Sequence, residues 1–386
     1  MTWYWVIFGI LAVTAFLEQF AGLRRKHTYR LLGGVTVILI FISSIRWNQI
    51  AGDWQGYYSV YQWFQPESFF DIFKVDYWPF EPVYYMATRF IRYFFNSYTG
   101  VQVMMAVLAL GFFYLDAKYL DTHRQIRGKQ YGFERSTIAC TFLLAWSTEC
   151  LAIFTIRTSV AYAMCVYAIR YIEEKNMKKF MLMIAIATGF HFTSIVFIPA
   201  YFIYHLRISL KTLVRYAAIA AAVSAIGVQN LIPLIGLLGG RYAGKAIGYN
   251  FQLTEGMLQG SYSVFFVVVK GMANTVFIVI IGIYVLKYSK SCRMVNERVN
   301  GLVNLYCFGA LLQFVTISYN VLFARAAVFY LYEQYYIVPV LLQLSKNKPK
   351  ERFLYFCAIT AYCGVKLYTY LGGAPHYASY TTIFSK

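Results

Sequence analysis

The sequence predicts an all-α protein that crosses a membrane many times. Of its 386 residues, 60% are hydrophobic and 13% are charged, and the mean hydropathy is +0.52. Apolar segments of roughly 17 to 25 residues, the length that spans a bilayer as a helix, recur along the chain. A soluble protein of this size does not need so much apolar surface, and one anchor on a soluble domain does not explain the repetition.

The net charge of +19 lies in short basic clusters between the apolar segments. Basic residues concentrate in the cytoplasmic loops of membrane proteins, so these clusters assign a side to each loop. They also argue against a nucleic-acid-binding face. The seven cysteines show no metal-ligand spacing, and we expect them to be structural.

We expect about twelve transmembrane helices in a single domain over residues 1–386, with both termini outside. The long outer loops are residues 47–98 and 238–262. Within the first loop, residues 81–95 carry Arg89 and Arg92 one turn apart among aromatics, which predicts a helix lying in the membrane interface. The predicted spanning segments are 1–22, 31–46, 101–120, 136–154, 158–172, 180–205, 216–236, 263–286, 301–320, 326–344 and 353–371.

Residues 180–205 have basic residues on both sides, with Lys178 and Lys179 before them and Arg207 and Lys211 after them. One crossing would put the second cluster outside. Two short helices that meet near residues 189–191 would keep both clusters in the cytoplasm, as the charge bias requires. We favour this hairpin, which places His191 near the outer surface.

Four arginines fall at or near predicted outer helix ends: Arg46, Arg157, Arg241 and Arg325. An arginine costs about 2.5 to 3.5 kcal/mol at mid-bilayer on insertion scales and less toward the edges. The guanidinium fork binds phosphate oxygens bidentately, so a cluster of arginines favours a pyrophosphate ligand. The alternative is that each side chain snorkels to a lipid headgroup.

Three residues could accept a proton or bind sugar hydroxyls: Asp53, Glu81 and His191. Asp53 is alternatively a solvated loop acid, and His191 a partner of a neighbouring helix. Glu81 precedes a proline, so it is alternatively the cap of a helix. Aromatic residues that could stack on sugars, or simply lie at the interface as is typical of membrane proteins, are Trp54, Tyr57, Tyr58, Tyr249 and Tyr330.

These residues resemble the motifs of the Wzy-like, EpsG-type polysaccharide polymerases. Arg46 with Gly52-Asp53 and Tyr57 resembles the first motif of the family. The element Glu81-Pro82-Val83-Tyr84 resembles the second motif. The most extensive likeness runs from Ile156-Arg157 through a basic turn to Phe190-His191-Phe192-Thr193-Ser194. The late arginine motif resembles Asn320, Arg325 and Tyr330.

The resemblance implies a GT-C-like glycosyltransferase of the bacterial plasma (inner) membrane, with its active site facing the periplasm or exterior. Such an enzyme transfers a growing glycan from undecaprenyl pyrophosphate to the next lipid-linked repeat unit, producing O-antigen, capsule or exopolysaccharide. It uses no nucleotide sugar, cofactor or known metal. The implied partners are undecaprenyl-pyrophosphate-linked oligosaccharides, the bilayer, a chain-length regulator and a flippase, with no nucleic acid.

In this chemistry, negative charge develops on the departing pyrophosphate, and fixed cations stabilise it. The four arginines would supply the cations, and His191, Asp53 and Glu81 compete for the role of base. Two other functions stay open. A flippase or transporter of the same lipids would carry charges at mid-membrane and on both faces, whereas the candidates here gather on one predicted side. An O-antigen-type ligase would perform the same chemistry with another acceptor.

Overall fold

The computed structural model describes residues 2–46, 54–63, 68, 70, 81–133, 135–152, 156–207, 211–212, 214–216, 218–220, 264–291, 296–316 and 321–373. These residues are mostly helical, and they also form one two-stranded hairpin. They pack as two compact units, Met1–Ile195 with Pro339–Lys386, and Val196–Val338. That the chain is one membrane domain stays a prediction.

The elements follow one another closely along the chain. In order they are α1 (Thr2–Phe20), α2 (Arg25–Ser44), α3 (Trp54–Trp63), α4 (Pro82–Phe95), α5 (Tyr98–Asp121), β1 (Arg124–Ile126), β2 (Lys129–Tyr131), α6 (Ile138–Glu149), α7 (Ile156–Glu173), α8 (Met177–Phe190), α9 (Ala200–Ile203), α10 (Val264–Ser291), α11 (Glu297–Thr316), α12 (Val321–Leu331), α13 (Gln334–Ile337), α14 (Val340–Leu344) and α15 (Pro349–Gly373).

Four helices in the described part of the chain are long and apolar enough to cross a membrane. They are α1, α2, α5 and the Met272–Ser289 part of α10. Each overlaps a predicted spanning segment, and the protein is a helical membrane protein. Helix α2 begins at Arg25, six residues before the prediction, because lysine and arginine are good helix formers and continue the helix past its apolar part.

Helix α5 has several neighbours in the first unit. It packs against α2 and α7, and α7 packs against α8. Helix α6 packs between α1 and α15 and is buried over most of its length. The indole of Trp146 is fully buried in this layer and donates a hydrogen bond of 3.0 Å to the carbonyl oxygen of Tyr4.

A buried polar network fastens the far end of α5 to its neighbours. The hydroxyl oxygen of Ser136 lies 2.7 Å from a carboxylate oxygen of Glu18 and 2.9 Å from one of Asp121. Asp121 also accepts a hydrogen bond of 2.9 Å from the Tyr29 hydroxyl and one of 2.8 Å from the Thr137 amide. The network therefore ties together α1, α2, α5 and the start of α6.

In the second unit, α11 packs against α9, α10, α12 and α13. The Asn304 amide donates hydrogen bonds to the carbonyl oxygens of Tyr204 and Leu206, at 3.3 and 2.5 Å. Gly301 lies one turn earlier, and a Cβ there would overlap the Tyr204 ring. Gly301 and Asn304 of α11 therefore contact the chain that follows α9.

Several predicted boundaries need correction. The segment 136–154 is not one helix, because α6 ends at Glu149, and Cys150 and Leu151 have φ angles of 49° and 55°. The segment 326–344 is interrupted, and one interruption falls at Pro339, which lacks a backbone N–H donor. Helix α3 and the hairpin were not predicted. Arg127 and Gly128 turn the hairpin with φ angles of 48° and 74°, as in a type I′ turn.

The predicted break in residues 180–205 is confirmed at its position. Helix α8 ends at Phe190, and His191 has an extended backbone with φ −152° and ψ 116°. That the chain then reverses toward the cytoplasm stays a prediction. Most of residues 216–236 and all of residues 238–262 lie outside the described residues.

Candidate functional site

The candidate site is centred on an ion pair between Glu81 and Arg157. Glu81 immediately precedes α4, and Arg157 lies in the first turn of α7. The guanidinium Nη1 of Arg157 donates to Glu81 Oε2, and the two side chains are only 10% and 13% exposed. The other carboxylate oxygen of Glu81 accepts a bond of 3.4 Å from the backbone N–H of Phe192. Glu81 thus joins α4 to α7 and to the chain after α8.

This geometry corrects the helix-cap interpretation of Glu81. The residue does occupy the N-cap position, and Pro82 begins α4 as expected. Its side chain, however, makes no capping hydrogen bond to the helix. The carboxylate faces Arg157 instead, since a buried guanidinium needs a counter-ion more than an exposed helix turn needs a cap.

Two tyrosine rings enclose the Arg157 guanidinium. Its carbon Cζ lies 5.1 Å from the ring centroid of Tyr57 and 5.5 Å from that of Tyr84. Both distances are within the range of a cation–π interaction. The guanidinium also hydrogen-bonds the Tyr57 hydroxyl oxygen. Arg157 is 8% exposed, so the snorkelling alternative is wrong for this residue.

Arg46 is a second buried arginine, and it lies close to Tyr98. It follows the end of α2 and is 2% exposed, and its carbonyl oxygen accepts a 3.0 Å hydrogen bond from Gln102. The Tyr98 hydroxyl interacts electrostatically with the Arg46 guanidinium and with the hydroxyls of Tyr84 and Tyr57. Arg46 does not snorkel either. Each arginine therefore lies near at least one member of a set of neighbouring tyrosines, which we call the tyrosine group: Tyr57, Tyr84 and Tyr98.

The end of α8 is packed tightly against the start of α4. A Cβ at Gly189 would overlap the Val83 side chain and lie 2.9 Å from its Cβ, so only glycine fits this crossing without movement. His191 follows two residues later, and its Nδ1 lies 2.7 Å from the Thr193 hydroxyl. Because the Phe192 amide contacts Glu81, His191 is adjacent in the chain to a residue of the site.

The candidate sugar-binding aromatics of α3 are largely covered by the protein itself. Trp54 and Tyr57 are 4% and 5% exposed, and Trp54 stacks on Tyr58 at 5.1 Å between centroids. Tyr58 is half-buried. On the next turn, Arg92 of α4 lies over the Tyr61 ring at 4.5 Å. Burial raises the pKa of the Tyr61 hydroxyl, and the charge of Arg92 acts in the opposite direction.

The remaining predicted site residues either lie outside the described residues or belong to the second unit. Asp53, Arg241 and Tyr249 lie outside the described residues, and only the backbone of Arg325 is described, within α12. Tyr330 is fully buried in the second unit, and its hydroxyl donates a 2.6 Å bond to the Val196 carbonyl oxygen. Its ring lies 5.0 Å from that of Phe197, which is the arrangement of a packing residue.

Three contributors were missed by the sequence analysis as site residues: Tyr84, Tyr98 and Gly189. Tyr84 could have been found, because it lies one helical turn after Glu81 on a predicted helix. Tyr98 and Gly189 gave no local signal, since their roles depend on contacts between distant segments. Among the described residues, no group of three His, Cys, Asp or Glu side chains could hold a metal ion.

The arrangement suits recognition of an anion. Two buried guanidinium groups and the hydroxyls of the tyrosine group supply positive charge and hydrogen-bond donors. The Glu81 carboxylate contacts the Phe192 amide, next in the chain to His191, and a carboxylate or an imidazole could exchange a proton with a substrate.

Comparison with known proteins identifies the family. A sequence model of the EpsG family matches residues 29–382, which include every described residue of the site. Neither a search of curated proteins nor a search of solved structures found a match. The family match covers nearly the whole chain, and the chain therefore belongs to the EpsG family, a family of Wzy-like polymerases.

Proposed function

We propose that this protein is a membrane glycosyltransferase that joins oligosaccharide repeat units carried on undecaprenyl pyrophosphate into a polysaccharide. The observation that carries the proposal is the Arg157–Glu81 ion pair, buried among tyrosines in a membrane protein of the EpsG family. A buried arginine with a carboxylate and hydroxyl donors around it favours a phosphate-bearing substrate over a neutral glycan alone.

In the proposed reaction, the anomeric carbon of the donor glycan breaks its bond to the pyrophosphate oxygen and forms a bond to a hydroxyl oxygen of the acceptor. The electron pair of the broken bond stays on the pyrophosphate. Arg46 and Arg157 stabilise this charge, because both are fixed and largely removed from water. A guanidinium has five N–H donors, so Arg157 can hold Glu81 and a phosphate oxygen together.

The acceptor hydroxyl must lose its proton during the transfer. We assign this proton to His191, because the Glu81 carboxylate serves as counter-ion to Arg157. The imidazole is oriented by Thr193, and a neutral imidazole accepts protons near physiological pH. Glu81 is then a positioning residue that keeps the Arg157 guanidinium among the tyrosines.

The proposed setting is the bacterial plasma (inner) membrane, with about twelve spanning helices in a GT-C-like bundle and the site at the outer face. Helix α4 supports an interfacial position, because its buried residues include Tyr84 and Arg89 whereas Phe90, Phe94 and Phe95 are exposed. A flippase that delivers the repeat units and a regulator of chain length are the proposed protein partners, and O-antigen, capsule and exopolysaccharide are the candidate products.

Two alternatives keep the same substrates, namely a flippase or transporter of lipid-linked glycans and an O-antigen-type ligase. The clustering of Arg46, Arg157 and Glu81 at one site favours a transferase over alternating access. A ligase is separated from a polymerase only by its acceptor.

The test is to incubate the purified protein in lipid nanodiscs with lipid-linked repeat units and to separate the glycans by size. A polymerase produces a ladder of multiples that remain attached to lipid. A ligase produces no ladder and elongates only when its own acceptor lipid is added. If a folded protein lengthens no glycan either with or without that acceptor lipid, both transferase functions are contradicted and transport remains, which a vesicle translocation assay measures directly.

A further inference from the structure

The hydroxyl of Tyr98 is buried without a hydrogen-bond partner among the described residues. Tyr98 is the first residue of α5 and is 4% exposed. A buried hydroxyl that makes no hydrogen bond destabilises the folded protein, because it has lost its bonds to water. Such groups are few in native proteins, and each needs an explanation.

The surroundings of this hydroxyl indicate what would satisfy it. Its ring is fixed by neighbours on α3, with centroid distances of 5.4 Å to Trp54 and 5.2 Å to Tyr58. The hydroxyl interacts with the Arg46 guanidinium and with the hydroxyls of Tyr84 and Tyr57, the same two tyrosines that enclose Arg157. A neutral tyrosine hydroxyl is a donor, and a donor beside the Arg46 guanidinium favours an anionic acceptor.

We infer that Tyr98 is a substrate-binding residue whose hydroxyl donates a hydrogen bond to a phosphate oxygen of the lipid-linked pyrophosphate, beside Arg46. This inference rests on the proposed function, and it adds to that function a neutral donor that no charge pattern in the sequence reveals. The bond forms when the substrate arrives, which accounts for a hydroxyl left without a protein partner.

Tyr61 provides a matched control. It is 6% exposed, and its hydroxyl also has no hydrogen-bond partner among the described residues. Its ring lies 5.3 Å from that of Tyr98, but the charged group beside it is Arg92. Removing the hydroxyl from either tyrosine deletes one buried oxygen atom from one of two neighbouring rings, and the two tyrosines differ in the arginine beside them.

The experiment titrates undecaprenyl pyrophosphate into nanodiscs that hold the full chain, with undecaprenol as the ligand that lacks phosphate. We expect Tyr98→Phe to weaken the affinity for undecaprenyl pyrophosphate about tenfold or more, since a hydrogen bond to a charged group is lost. The affinity of Tyr98→Phe for undecaprenol should match the wild-type value. Tyr61→Phe should match the wild-type affinity for both lipids. The Tm of Tyr98→Phe should equal or exceed the wild-type value.

Three outcomes would overturn the inference. Tyr98→Phe could bind undecaprenyl pyrophosphate with wild-type affinity, or Tyr61→Phe could lose as much of that affinity as Tyr98→Phe. The third outcome is a fall in the Tm of Tyr98→Phe, which would mean that the hydroxyl stabilises the fold. The binding measurement needs no acceptor. Failure of the wild type to elongate glycans therefore counts against the proposed function, whereas unchanged affinity in a Tyr98→Phe variant of an active polymerase counts against this inference alone.

Discussion

Glu81 and Arg157, which are 76 residues apart in sequence, form a buried ion pair between the start of α4 and the first turn of α7. Each end of the pair is held further, Glu81 by the Phe192 amide and Arg157 by the rings of Tyr57 and Tyr84. The guanidinium is consequently fixed before any substrate binds. Fixed cations of this kind contribute to catalysis because they need no reorganisation during the reaction.

The first prediction concerns the stability of this pair. Changing Glu81 to alanine should lower the free energy of unfolding by about 3–5 kcal/mol, since it leaves a buried guanidinium without its counter-ion. The double variant Glu81→Ala with Arg157→Met should recover most of that loss. Thermal unfolding of the wild type, the two single variants and the double variant in one detergent gives the coupling energy between the two residues. If the effects of the two single changes simply add, the pair is not coupled.

The second prediction concerns the crossing of α8 and α4. Gly189→Ala should lower stability by about 1–3 kcal/mol, because its Cβ would displace Val83 and with it the start of α4. Turnover should fall as Glu81 moves away from Arg157. Adding Val83→Ala should restore part of both losses.

Gly111→Ala in α5 is the control for that crossing, because a Cβ there meets no atom within 4 Å. It should match the wild type or gain slightly in stability, since alanine is the better helix former. Equal effects of the two glycine substitutions would mean that the contact with Val83 has no part in the site.

The third prediction separates stability from activity. Ser136→Ala should destabilise the protein by about 1–3 kcal/mol, because Glu18 and Asp121 lose the hydroxyl between them. Turnover per folded molecule should not change, since this network and Tyr98 lie at opposite ends of the 24-residue α5, about 35 Å apart by helical rise.

Thr360→Val is the matched control for this serine. Its hydroxyl has no hydrogen-bond partner among the described residues, so its removal should not lower the melting temperature. A loss of turnover in Ser136→Ala that exceeds the loss of folded protein would contradict the separation of the two ends.

The fourth prediction concerns sidedness. Trp63 at the end of α3 is 80% exposed, and Lys129 begins the second strand of the hairpin that follows α5. A cysteine at position 63 should react with a membrane-impermeant maleimide in intact cells, and one at position 129 only after permeabilisation. For this experiment, the exposed Cys357 is first changed to serine so that it cannot react with the maleimide. Labelling at position 129 in intact cells would invert the predicted topology.

The spanning helices could be predicted from the sequence because bilayer thickness fixes their length and composition. This rule correctly predicted helices long and apolar enough to span a membrane at α1 and α5. It missed α3, whose ten residues are too short and too polar for the rule. It also extended α6 past Glu149, because no proline or glycine marks the left-handed residues Cys150 and Leu151.

The site was partly predictable. Outer-end arginines pointed to Arg46 and Arg157, and the structure brings both to the tyrosine group. The pairing of Glu81 was missed because a residue before a proline is locally indistinguishable from a cap. Tyr98 and Gly189 depend on which helices cross, and spacing along the chain does not reveal that.

The most direct test of the central claim is the turnover of Arg157→Lys in the polymerisation assay. Lysine keeps the positive charge but loses the planar fork, so a fixed pyrophosphate-binding role predicts a loss of about 10²- to 10³-fold with folded protein retained. Arg207→Lys is the control, because its ion pair with Glu297 is more exposed and should tolerate the change. An Arg157→Lys enzyme that builds the wild-type ladder at the wild-type rate would contradict the assignment of Arg157 to the pyrophosphate.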